Sequence, residues 1–126
     1  MKVCEGYISS GYGYRTHPVT GEKQKFHNGV DIAAPVGTPV YSPADGVVTD
    51  VSTSDIAGKR IIVRSGAVDY IFLHLSEQLV TQGALVQKRC LLGRVGATGR
   101  VTGAHLHYSV KINGAYVDPA PYIVIK

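Results

Sequence analysis

Residues 102–110 read TGAHLHYSV. The alternation from His105 to Val110 has period two, which is the side-chain period of a β-strand. In a strand, His105, His107 and Ser109 share one face, and Leu106, Tyr108 and Val110 share the other. The apolar trio seeks a core, so the two imidazoles are turned toward whatever the opposite face holds. They stand about 7 Å apart along the backbone at a rise of about 3.3 Å per residue. An HxH pair by itself is ambiguous, because a strand histidine is as readily a partly buried structural residue as a metal ligand.

The same strand grammar recurs along the chain. DIAAP (31–35), TPVYS (38–42), GVVTDVS (46–52), KRIIVRS (59–65), VDYIFLHL (68–75), LLGRVG (91–96) and LHYSVKING (106–114) are short β-favouring runs bounded by Gly, Pro, Asp or Ser. They predict a mainly β fold, an antiparallel sandwich or open barrel. Residues 1–26 read as loop-rich, with turn chemistry in HPVTGEKQK (17–25), and residues 27–126 as the β core. SEQLV (76–80) is the one stretch with helical character, with Ser76 as its candidate cap.

Composition narrows the rest. The 126 residues suit one domain, and 44% hydrophobic residues is an ordinary globular share that argues against disorder. The net charge of +4 comes from scattered Lys and Arg with no basic run, which is not a nucleic-acid signature. No apolar stretch is long enough to span a bilayer, and residues 1–15 carry no apolar leader. Cys4 and Cys90 lack CxxC spacing and read as free, buried or partly buried thiols.

A second cluster shifts the weight on the histidines. FHNGVDIAAP (26–35) holds His27 and Asp31 four residues apart. A straight strand would separate them by about 13 Å, too far for one ion. Gly29 and the β-branched residues argue against a helix, so the chain is expected to bend at Asn28-Gly29 and return His27 toward Asp31. Two imidazoles and a carboxylate form a catalytic zinc set with a fourth position open. His27, Asp31 and one of His105 or His107 would complete it. His74, in YIFLHLSEQ (70–78), reads equally as a core histidine or a site residue, and His17, before Pro18, reads as a loop residue. GATGRVTG (96–103) lacks the GK[ST] ending of a phosphate loop and precedes a strand. It is expected to be a tight loop delivering the HxH strand, with Gly96, Gly99 and Gly103 keeping a groove wall low.

Taken together, SGYGYRTHPVTG (10–21), FHNGVDIAAPVGTPVYSPADGVV (26–48), FLHLS (72–76), LLGRVGATGRVTGAHLHYSV (91–110) and VDPAPYI (117–123) resemble the lysostaphin-type (LytM-like) zinc metallopeptidases, which cut peptide bonds in peptidoglycan. The resemblance runs from about Ser10 to Tyr122. It implies a β fold with a metal-binding groove and one Zn²⁺ per chain. It implies His27, Asp31 and His107 as ligands, with His74 and His105 as the catalytic pair. His105 would handle the proton of a metal-activated water, and His74 would steady that water or donate to the oxyanion. Tyr12 or Tyr14 is a weaker candidate for the oxyanion. Arg100, Lys23 and Lys25 are cations that a peptide carboxylate could meet. The implied substrate is a peptidoglycan stem peptide or cross-bridge. The implied place of action is the cell envelope or outside the cell, as an exported enzyme or a phage or conjugation component, and the implied state is a monomer. The sequence departs from the family at Ser109, where an acidic residue is frequent, and at Arg89-Cys90 in place of Gly-Gln.

Two other functions compete. A non-catalytic, wall-binding activator of the same fold would have lost ligands, and none is missing here. A biotinyl- or lipoyl-type carrier would match ADGVVTDV (44–51) and LVTQGALVQ (79–87), but would need a lysine at an exposed hairpin tip, and Lys59 lacks that setting.

Overall fold

A computed structural model of the chain describes residues 1–15, 25–101 and 103–126. The strands are β1 (Tyr7–Ser10), β2 (Gly13–Arg15), β3 (Lys25–His27), β4 (Val30–Ala33), β5 (Pro39–Tyr41), β6 (Gly46–Ser54), β7 (Gly58–Ser65), β8 (Val68–Gln78), β9 (Leu85–Val86), β10 (Leu91–Val95), β11 (His105–Ile112) and β12 (Ala115–Val117). A single 3-10 turn, Ala120–Tyr122, is the only helical element among the described residues. The mainly antiparallel β expectation holds. The main sheet runs β1-β4-β11-β8-β7-β6-β9, with β12 on β11 and β10 bridging β8 to β5. Its two ends, β1 and β9, do not pair with each other, so the sheet is open.

The alternation of β11 is realised. Leu106, Tyr108 and Val110 are fully buried, and the Tyr108 ring stacks on Phe72 of β8 at 5.2 Å. Burying one such side chain contributes about 1.5–3 kcal/mol, so register is tightly specified. A slip by one residue would turn these apolar groups to solvent and the imidazoles into the core.

β8 is the spine. Its first part pairs with β11 from Val68 to Leu73, and its last part pairs with β10 from Leu75 to Gln78. Along the other edge it pairs with β7 from Val68 to Leu75, with one irregularity between Phe72 and Leu75. There two residues, Leu73 and His74, oppose the single Arg60, and His74 has φ +68°. This β-bulge decides where the His74 side chain goes.

Two expectations are corrected. SEQLV is not helical, because Ser76 to Gln78 complete β8 against β10. The Ser76 hydroxyl donates to Val95 O at 2.9 Å instead of capping a turn. The first 26 residues are also not simply loop. β1 pairs with β4, β2 pairs with β3, and Val3 and Cys4 are core residues. These short segments gain strand structure from distant partners, which local composition does not report. Cys4 is buried and Cys90 half-buried, both as free thiols, as expected. Lys59 lies within β7 with its ammonium on Ser76 O at 3.1 Å, far from the carrier setting.

Candidate metal centre

The β4–β11 register sets Asp31 directly opposite His107, so their side chains share a face. His105, two residues earlier, shares it too and stands opposite Ala33, whose small side chain leaves room for the ring. β3 ends at His27 and β4 begins at Val30, so the chain turns at Asn28-Gly29 as the spacing required. The turn returns the His27 ring to 3.6 Å from Asp31, Nε2 to Oδ2. Gly29 is obligatory there, because a Cβ would collide with Ser109 Oγ, Tyr108 O and His107 Nε2.

His74 arrives by the bulge. Unbroken alternation would put it on the core face with Phe72. The extra residue and positive φ turn it to the opposite face and return Leu75 to the core. Its ring then lies 5.1 Å from that of His105 and 6.2 Å from that of His107.

Each imidazole has one nitrogen fixed by a neighbour. His27 Nδ1 meets Gly11 O at 2.7 Å, His74 Nδ1 meets Thr98 O at 2.8 Å, and His105 Nδ1 meets Gly103 O at 3.0 Å. A carbonyl only accepts, so in each ring Nδ1 carries the proton and the neutral form offers Nε2 as a lone pair. His107 is reversed. Its Nδ1 faces Asp31 Oδ1 at 2.9 Å, while Nε2 faces Asn28 Oδ1 at 3.2 Å and Ser109 Oγ at 3.1 Å.

Donor atoms of His27, Asp31 and His107 all lie within 4.8 Å of one another. At 2.9 Å a proton bridges His107 Nδ1 and Asp31 Oδ1; a metal ion held by these two residues would need Nδ1 as a lone pair, with the single proton of the neutral ring on Nε2, where Asn28 Oδ1 and Ser109 Oγ can accept it. His27 is likewise oriented by Gly11, with Nε2 toward Asp31. Two nitrogen donors, each ring held from behind, and one carboxylate oxygen fit a catalytic zinc set.

Burial pushes the Asp31 carboxyl up. The His107 hydrogen bond and the charges of His107, His27 and His105 outweigh it, and the pKa falls below the ordinary carboxylate value. His74 is shifted below the ordinary imidazole value. Burial is the main cause, aided by His105 and His107 and opposed by the Thr98 hydrogen bond and Asp31. It is therefore a neutral acceptor at physiological pH.

An open pocket of about 550 Å³ lies over the cluster, lined by Asp31, His74, Arg100, Val101, His105 and His107. Tyr12 is not free for an oxyanion role: its hydroxyl donates to Tyr116 O at 3.4 Å and its ring packs edge-on to Phe26. The side chains of Tyr14 and Lys25 and all of His17 and Lys23 lie outside the described residues. Gly96 and Gly99 do not simply lower a wall; they pack against Leu75-Ser76 and residues 56–58, and only Gly103 faces open space. Asn28, Ser109 and Thr98 support the site, a role the sequence reading assigns to none of them, although Asn28 is marked for the bend. Ser109 had a signal, as the third member of the HxH face; Thr98 had none.

The model of peptidase family M23 matches residues 25–119. The chain belongs to that family. It is 43% identical over 113 residues to the DD-carboxypeptidase/endopeptidase Mpg of Neisseria meningitidis, covering 89% of this chain and 26% of that protein. The chain thus spans about a quarter of the length of this curated relative. Among solved structures it is similar to a zinc-containing peptidase from Vibrio cholerae, with TM-score 0.83, 41% identity, and 90% of this chain and 35% of that one covered. It is also similar to the catalytic domain of lysostaphin from Staphylococcus simulans, with TM-score 0.75, 30% identity and 91% of each chain covered. The resemblance read from the sequence and the lysostaphin-like β fold both stand.

Proposed function

We propose that this M23 domain is a zinc-dependent endopeptidase that hydrolyses peptide bonds in peptidoglycan, with His27, Asp31 and His107 holding one Zn²⁺. The observation that carries this reading is the convergence of those donor atoms within 4.8 Å, with both remaining strand histidines on the same face. Bound zinc supplies a Lewis acid that polarises a peptide carbonyl and acidifies water. His105, its Nδ1 proton held by Gly103, presents Nε2 to take a proton from the attacking water and pass it to the leaving amine. His74, neutral and tied to Thr98, accepts a hydrogen bond and steadies that water; donating to the oxyanion would need the imidazolium that burial disfavours. Asp31 balances the charge of the cation.

The activity named for the Neisseria relative points to a bond between two D-centres as the target. Such bonds lie in the wall, so the domain acts in the cell envelope or outside the cell. Zinc-loaded protein incubated with purified D,D-cross-linked sacculi should convert cross-linked muropeptides into monomers, read by mass spectrometry of the soluble products. A protein that binds about one equivalent of zinc and leaves sacculi intact would overturn the catalytic reading.

A further inference from the structure

Arg60, Arg64 and Arg94 are ion-paired with Asp50, Asp69 and Glu77. Among the described residues, Arg100 has no ion pair and is the one cationic side chain lining the pocket over the histidines. Its backbone is fixed although its side chain is exposed. The Arg100 N–H donates to Ile56 O at 3.0 Å. Gly99, at φ +82°, packs against Ile56 O, Ala57 and Gly58 where no side chain fits. The β6–β7 turn thus anchors the root of Arg100, and the guanidinium is left to reach a ligand. Arg100 and Val101 line the same pocket as Asp31, His74, His105 and His107, and Thr98, two residues before Arg100, holds His74 Nδ1 at 2.8 Å.

On the peptidase reading above, the scissile carbonyl sits by the ligands and the leaving nitrogen beside His105, within the pocket that Arg100 also lines. What hangs from that nitrogen differs among wall peptides. A terminal D-residue carries its own carboxylate on the carbon next to the nitrogen. So does a cross-linked diamino acid acylated at an amine beside a carboxyl group. A glycine bridge has a neutral peptide carbonyl at that place. A guanidinium is planar, permanently charged and matched to a carboxylate by paired N–H donors.

We infer that Arg100 binds the carboxylate of the leaving residue and selects bonds whose leaving residue carries that free charge. It is a specificity-determining residue, distinct from the ligands and the proton-handling pair.

The test uses cross-linked muropeptide dimers whose acceptor carboxylate, next to the scissile amide, is either free or amidated. Wild-type zinc-loaded protein should favour the free carboxylate in kcat/KM by on the order of tenfold or more, the scale of a charge-assisted hydrogen bond. Arg100→Gln should bring the ratio between the two dimers to about one, mainly through KM, and Arg100→Lys should restore part of it. The ratio is the readout because a general loss of structure lowers both substrates alike. No preference in the wild type, including cleavage of sacculi without cleavage of either dimer, overturns the assignment, as does an unchanged ratio in Arg100→Gln. A wild-type protein that cleaves neither dimers nor sacculi defeats the peptidase reading itself, a separate result.

Discussion

His74 and His107 face one pocket from paired strands whose register opposes Leu73, not His74, to His107. Only the bulge at φ +68° makes their rings neighbours at 6.2 Å. Holding a side chain in the left-handed region costs about 1–2 kcal/mol, whereas glycine's added unfolded-state freedom costs about 0.5–1 kcal/mol. The first term wins here. His74→Gly should therefore be more stable than His74→Ala by roughly 0.5–1 kcal/mol, measured by denaturant unfolding with a chelator present. Equal stabilities, or Ala ahead, would mean that the bulge relaxes when the imidazole is gone.

Of the three proposed ligands, His107 has the most elaborate support. Asn28 Oδ1 and Ser109 Oγ both lie against its Nε2, and Gly29 keeps the backbone close enough for Asn28 to do so. Removing such a partner lowers metal affinity by about 10–100-fold in other sites. Asn28→Ala and Ser109→Ala should each weaken zinc binding toward the lower end of that range, since the other acceptor remains. The double variant should lose more than either. Competition with a chromophoric chelator reads this directly, and unchanged affinity in the double variant would remove both residues from the site.

How much of this was legible in the sequence follows from which contacts are local. The HxH face needs only strand periodicity, and the bend at Asn28-Gly29 needs only that His27 and Asp31 meet. Both were readable, and the Asp31–His107 pairing satisfies both. The His74 orientation was not, because a bulge is a property of two paired strands, and YIFLHLSEQ shows only an apolar run. The N-terminal strands failed for the same reason: Tyr7–Ser10 is exposed along its length except at Ser10 and gains its structure from β4. Ser76 looked like a helix cap because its preference was read without β10, whose carbonyl at Val95 takes the hydroxyl.

The pKa shifts give stability a direction with pH. His74 is lowered below its ordinary value of 6.5, so the unfolded chain binds its proton first as pH falls. Its contribution is present above the unfolded pKa and is lost as pH drops through the lower folded value. Asp31, lowered below 3.8, behaves alike further into acid, its contribution being lost as pH falls through the folded value. With chelator present, unfolding free energy should decline from pH 7 to pH 5, before Asp31 titrates. His74→Asn, which tolerates positive φ and does not titrate, should flatten that decline. A variant curve parallel to the wild type would assign the slope to other groups.

The closest discrimination is between the two members of the HxH pair. They lie on one face of β11, both near Asp31: His107 Nδ1 at 2.9 Å and His105 Nε2 at 3.6 Å from Oδ1. The former is backed by Asn28 and Ser109, the latter, among the described residues, by Gly103. His107→Ala should lose stoichiometric zinc and with it all hydrolysis. His105→Ala should retain about one zinc per chain, by elemental analysis after gel filtration, while hydrolysis falls by about 10²–10⁴, the scale of a lost general base. If His105→Ala loses the metal as well, the pair acts as a joint ligand set, and the proton must be handled by His74 from across the bulge.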